Sequence, residues 1–320
     1  MEVAAVSEKI RALSGEFAAD RRERQRRREL VPADFARLRE AGFPLTGVPV
    51  DQGGIWECPS RSARPICDML RVLAHGDSSV ALVCAMHPSM LSYWIATPEA
   101  PAPFAKAWEE QRRSIFRNVC EDAWWGTIAS EPGASGDLTR SKATARRDPS
   151  DGGYGLSGQK NMGSGSGITS FMLTVAIPEG EAAPDVFFLD MRKVPWDGSA
   201  GVTLTGAWDG QGMTATQSHA MSFKDFPATR IAWPGQLASL GGATGGIIQC
   251  YFTAVIAGVA EVALDTAREQ VARRRDELRA YERLEWARAE LEGWFIAQAH
   301  EGMLRPIEAG RDGRHCAIRA

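Results

Sequence analysis

Residues Thr127–Asp137 read T-I-A-S-E-P-G-A-S-G-D, and Gly158–Gly167 read G-Q-K-N-M-G-S-G-S-G. Both stretches are rich in glycine and hydroxyl side chains, and the sequence between them alternates as a β-strand does. Two such turns on neighbouring strands can present backbone N–H groups and Ser/Thr hydroxyls to one flat polar ligand. This reading places a β-rich segment in the middle of the chain.

Outward from this pair, short alternating runs continue over Thr127–Ala129, Ala143–Arg146, Tyr154–Ser157, Ser170–Ala176, Val186–Asp190, Val202–Leu204 and His219–Phe223. Turn clusters at Pro149–Gly153 and Trp196–Gly201 separate them. The spacing predicts an antiparallel β-domain, barrel or sandwich. No G-x-G-x-x-G joins a strand to a helix, so a dinucleotide-binding α/β domain is not indicated.

On either side the period changes to 3.6. Upstream, Ile10, Leu13 and Phe17 fall at helical spacing, Pro32 opens a helix that stops at Gly42, and Ser79–Trp94 reads as a buried helix. Arg21–Glu29, R-R-E-R-Q-R-R-R-E, reads as a solvated helical face. Downstream, Ile247–Val271 and Arg273–Ala299 read as long helices, and His300–Ala320 as the start of a third. The fold expected is therefore α+β multidomain: an N-terminal helical domain over 1–120, a central β-domain over 121–236 and a C-terminal helical bundle over 237–320.

Composition narrows the function. The 320 residues carry 37 Lys and Arg against 40 Asp and Glu, a net charge of −3, which gives no reason to expect nucleic-acid binding. No uninterrupted apolar run approaches the ~20 residues needed to span a bilayer. Neither a signal peptide nor a metal-ligand spacing is apparent. The six cysteines are scattered without a C-x-x-C pair, so a cytoplasmic enzyme with reduced thiols is expected.

The paired loops resemble the flavin-binding signature of the acyl-CoA dehydrogenase superfamily. The order helices, β-domain, helices is similar to that superfamily across nearly the whole chain. L-R-E-A-G-F followed by V-P-V-D-Q-G-G resembles its early helix end and Gly-Gly turn. Gly76–His87 resembles a helix lining its acyl pocket, and Gly212–Phe226 the strand closing its β-domain. The resemblance implies FAD as cofactor, an acyl-CoA thioester as substrate, α,β-dehydrogenation within fatty acid metabolism, and an electron-transfer flavoprotein as electron acceptor. It also implies a homodimer or homotetramer.

Carried over by position, the resemblance implies that Thr127, Ala129 and Ser130 meet the flavin ring. Ser135 and Gly136 match a turn near the pyrophosphate, and Met162, Gly163 and Ser164 a trio packed against the flavin. Two departures stand out. Met162 replaces the aromatic residue that many members carry, and Ser135-Gly136-Asp137 replaces Gly-Ser-Asp.

The implied chemistry lacks its base. Dehydrogenation needs a carboxylate beside the carbon α to the thioester. The stretch matching one family position, Cys250-Tyr251-Phe252-Thr253, carries none, and Glu261 lies about three turns further along the helix. The other position would lie beyond Ala320. Among lone histidines, His87 is the best candidate for a polar site residue, and Arg283 and Gln298 are loose matches to a family Arg-Gln pair. An alternative on the same fold is a two-component flavin-dependent monooxygenase, which needs no such base because reduced flavin itself reacts with oxygen. A catalytically degenerate assembly partner is the third reading. An incomplete bundle is expected to leave an apolar face exposed.

Overall fold

The computed structural model describes residues 2–97, 99–134, 136–148 and 152–310, and every structural statement concerns these. Six α-helices come first: α1 (Val3–Ala19), α2 (Arg21–Arg24), α3 (Pro32–Ala41), α4 (Pro59–Gly76), α5 (Ser78–Ile95) and α6 (Ala105–Cys120). Val6, Ile10, Leu13 and Phe17 of α1 recur every three or four residues and are all buried. Pro32 sits in the first turn of α3, where its fixed φ suits a helix start. Gly42 ends that helix at φ 91°, a left-handed cap suited to glycine. Asp77 opens α5 by accepting hydrogen bonds from the Ser79 and Val80 amides.

The expectation of a solvated face over Arg21–Glu29 fails at one residue. Arg24 is buried, donating to Asp34 and Asp77 at 2.8–3.0 Å while its guanidinium lies 3.7 Å from the Phe17 ring centroid. A charge run reads as surface unless acidic partners far along the chain fold back onto it.

The middle of the chain forms seven strands: β1 (Trp125–Thr127), β2 (Thr144–Arg147), β3 (Tyr154–Gly163), β4 (Phe171–Pro178), β5 (Asp185–Asp190), β6 (Val202–Gly206) and β7 (His219–Arg230). Pairing runs β4–β2–β3–β7–β5 and returns from β5 to β4, so the hydrogen-bonded path closes. β1 joins β4, and β6 joins β7. The expectation of a purely antiparallel domain needs correction, since β1 and β2 both pair with β4 in parallel. The second quoted stretch is also less of a loop than expected: its first six residues, 158–163, complete β3. Gly158 sits there at φ 147° beside a bulge, and a Cβ on it would lie 2.7 Å from that of Ala143.

Two helices follow, α7 (Leu237–Arg273) and α8 (Ala280–Glu308). α8 runs continuously through the point where a third helix was expected to begin at His300, and 311–320 lie outside the described residues. α7 packs on α4 and α5, and Gly258 allows a close approach because a Cβ there would collide with the Arg71 carbonyl. Its segment Gly246–Arg273 is long and apolar enough to cross a membrane by length and composition alone.

One apolar cluster joins α1, α3, α4, α5, α6, β1, α7 and α8, and a second fills the interior of the sheet. Trp124 and Trp125 belong to the first cluster, as packing elements. Trp124 stacks on Phe43, and Trp125 on Phe171. Among the described residues Cys67, Cys84, Cys120 and Cys250 carry reduced thiols, all but Cys120 buried.

Candidate functional site

The fold brings the two quoted segments into contact. β1 delivers Thr127 alongside β4, and the chain leaves it as Ile128-Ala129-Ser130. The Asn161 amide at the end of β3 donates to the Ser130 carbonyl at 2.8 Å, pairing the first loop with the second. A Cβ on Gly163 would lie 2.7 Å from Ile128 Cδ1, so only a residue without a side chain lets the segments approach this closely. Met162 sits between them at φ 58°, its side chain half exposed.

The hydroxyls are distributed differently from the expectation. Thr127 Oγ1 donates to the Leu173 carbonyl at 3.0 Å. Ser164 Oγ is buried 2.7 Å from Ser218 Oγ, itself 2.7 Å from Thr216 Oγ1. Both hydroxyls therefore brace the loops from behind. Ser130 keeps a hydroxyl with no hydrogen bond among the described residues. What the loops offer a ligand is the Ser130 hydroxyl, the partly exposed Ala129 and the Met162 side chain. Gly136 is exposed at φ 78° in the following turn, and Ser135 lies outside the described residues.

Sequence reasoning missed the ion pair behind the first loop. Lys160 is fully buried, and its Nζ donates to Glu131 Oε1 and to the Val175 carbonyl, each at 2.5 Å. Glu131 also accepts from Ser141 Oγ and from the Lys142 and Ala143 amides, at 2.5–3.2 Å. Burial opposes charge on both partners. It prevails at Lys160, whose pKa is lowered, whereas at Glu131 the Lys160 and Ser141 hydrogen bonds overcome it and hold the carboxyl below its ordinary value. A lysine inside a strand of alternating pattern, paired with the Glu of S-E-P-G, was the available signal.

The candidate bases are unsuited to proton abstraction. Glu261 on α7 is bound by Arg71 and by His75 Nε2, the latter at 2.9 Å. Burial alone would raise its pKa, but these two partners outweigh it and hold the carboxyl at about 2. His87, expected as a polar site residue, is fully buried and ties three elements together instead. The Trp125 amide donates to its Nδ1 at 3.0 Å, and its Nε2 proton goes to the Pro44 carbonyl at 3.0 Å. Burial lowers its pKa to about 4. Tyr251 is buried in the core, and Arg283 and Gln298 stand exposed on α8, away from the loops.

A groove of about 1070 Å³ opens between α1, α2, the start of α5, residues 211–214 and α7 from Val259 to Gln270. None of the loop residues above lines it.

No family model matches the chain. It is 27% identical over 245 residues to a dibenzothiophene monooxygenase of Mycolicibacterium goodii, covering 72% of this chain and 54% of the relative. A dibenzothiophene monooxygenase of Rhodococcus erythropolis is 26% identical over 269 residues, covering 81% and 60%. The chain spans little more than half the length of these relatives. Among solved structures it resembles FMN-bound TdsC from Paenibacillus sp. A11-2, with TM-score 0.66 and 24% identity over 82% of this chain and 64% of that one. This likeness supports the fold expected from the superfamily resemblance. It overturns the expected activity: the relatives are monooxygenases, so α,β-dehydrogenation of an acyl-CoA, and with it the place in fatty acid metabolism, is withdrawn.

Proposed function

We propose that this chain is the flavin-binding part of a two-component flavin-dependent monooxygenase. The observation that carries the reading is the pairing of Ser130 with Asn161 beside a half-exposed Met162, in a chain similar to two dibenzothiophene monooxygenases. The loops suit a flavin: Gly163 permits close approach, Met162 offers an apolar surface, and Ser130 offers a donor. Ser130, Ala129, Met162 and Gly163 would hold the ring, with Thr127 and Ser164 bracing them. Gly136 and Ser135 stand next along the chain.

Bound and reduced, the flavin would supply oxygen activation. The chain's part is then to bind, orient and keep water away, and none of these needs a carboxylate base. The pairing of Glu261 supports this, because a carboxylate held near pKa 2 is a weak proton acceptor at neutral pH. FMN is preferred to FAD, since the solved relative TdsC holds FMN. The substrate class is a hydrophobic aromatic heterocycle bearing sulfur, by analogy with the named relatives. A separate reductase would supply reduced flavin, and a second copy of the chain would cover α8, giving a homodimer or homotetramer.

The test is an anaerobic titration of the purified chain with oxidised and reduced FMN and FAD, followed by oxygenated assays with dibenzothiophene and a flavin reductase. Tighter binding of reduced flavin together with sulfoxide formation supports the reading. Bleaching of bound flavin by an acyl-CoA, or no flavin binding in either redox state, rejects it.

A further inference from the structure

The geometry points to the Lys160–Glu131 pair as a positioning latch for the flavin-facing loop, a role that rests on the function proposed above. A lysine with no exposure is costly to bury, and a strand interior could take a methionine of similar length. What the charge achieves is directional. Glu131 follows Ser130 directly, and its carboxylate gathers four donors: Lys160 Nζ from β3, Ser141 Oγ, and the Lys142 and Ala143 amides leading into β2. Lys160 passes the link on to β4 through the Val175 carbonyl. One carboxylate thus fixes the exit of the first loop to three strands.

Ser130 cannot shift without dragging this cluster. Its carbonyl is also held from the other side by Asn161, the residue after Lys160. The register between the loops, and so the spacing of Ser130 from Met162, is set at two points one residue apart on each strand: Ser130 with Asn161, and Glu131 with Lys160. An apolar pair at 131 and 160 could fill the same volume but would set no register. Neither residue touches the proposed ligand, so both are positioning residues.

The experiment compares the wild-type chain with Lys160→Met and with the double variant Glu131→Gln/Lys160→Met. The double variant removes both charges while its amide oxygen can still accept from Lys142 and Ala143, so it tests the latch even where the single variant fails to fold. Two readouts are taken: the dissociation constant for FMN, and amide hydrogen exchange at Asn161, whose protection reports the Ser130 contact without flavin. In the double variant we expect Asn161 protection to fall at least about tenfold while amides of β5 keep theirs. FMN affinity should weaken by about tenfold or more, corresponding to ~1.4 kcal/mol. Wild-type protection at Asn161 in a folded double variant overturns the latch. Failure of the wild-type chain to bind any flavin instead overturns the proposed function. Loss of Asn161 protection in that event still supports the latch as a register device.

Discussion

The backbone amide of Trp125 donates to Nδ1 of His87, joining the middle of α5 to the first residue of β1 at 3.0 Å. The other ring nitrogen holds the Pro44 carbonyl, so a single neutral imidazole satisfies one donor and one acceptor in a dry interior. The strand it anchors ends at Thr127, where the first loop begins.

Replacing His87 by Leu stays close to its volume but strands both backbone groups. A loss of about 2–4 kcal/mol is expected, read as a lower urea midpoint at unchanged slope. The pH dependence follows from its sign. The folded pKa, about 4, lies below the unfolded value near 6.5, so the stabilisation is complete above 6.5 and declines as pH falls through 4. The variant should lack that decline. An equal decline in both proteins would assign it to other groups.

Glu261 governs a lower window. Its folded pKa of about 2 lies below the ordinary 4.5, so the contribution is present above 4.5 and is lost as pH falls toward 2. The side chain is about a quarter exposed, so solvent screening reduces the effect to about 1–2 kcal/mol. Glu261→Gln should flatten the stability curve between pH 4.5 and 2 and loosen α7 from α4. If the variant also loses flavin-dependent oxygenation at neutral pH while fully folded, Glu261 has a chemical role beyond this ion pair.

Arg24 bridges Asp34 and Asp77, all three buried. Arg24→Ala leaves the buried Asp77 without its cation and Asp34 with only Arg27, 3.3 Å away, and should cost about 3 kcal/mol. The triple variant Arg24→Met/Asp34→Asn/Asp77→Asn removes the charges together and should recover much of that loss, since Asn remains a competent cap for α5. Thermal unfolding of the three proteins checks the order. A triple variant no more stable than Arg24→Ala would mean that the ion pairs are irreplaceable.

The architecture was legible because its signals are local. The 3.6-residue spacing of Ile10, Leu13 and Phe17 and the alternation along β7 each report their own element. Parallel pairing of β1 and β2 with β4 was not legible, because it depends on contacts between segments far apart in sequence. The same limit hid the Lys160–Glu131 pair, the burial of Arg24 and the tie from His87 to Trp125. For the site, the sequence identified the segments that meet but not which way each hydroxyl turns. Thr127 and Ser164 face inward because Leu173 and Ser218 take their hydrogen bonds. The reaction was misjudged because the loops report a flavin fold shared by dehydrogenases and oxygenases. The stretch Cys250–Thr253, which carries no carboxylate, does not by itself separate the two.

Tyr281, Leu284, Leu291, Trp294 and Phe295 are each more than half exposed, along a stripe of α8 about 20 Å long. Four of the five, Tyr281 with Trp294 and Leu284 with Leu291, fall symmetrically about the midpoint between Ala287 and Arg288. An antiparallel meeting of two copies would set Tyr281 of one against Trp294 of the other, and Leu284 against Leu291. The same registration sets Arg283 opposite Glu292 but Glu285 opposite Glu290, so the two-fold pairing rests on the apolar pattern alone. Sedimentation velocity should show a dimer or larger even-numbered assembly. Leu284→Glu should set an unpaired carboxylate against Leu291 in both symmetry-related contacts and raise the dissociation constant about a hundredfold, with helicity unchanged. A wild-type chain that sediments as a monomer at high micromolar concentration would refute the pairing. So would a Leu284→Glu variant that associates as tightly as wild type.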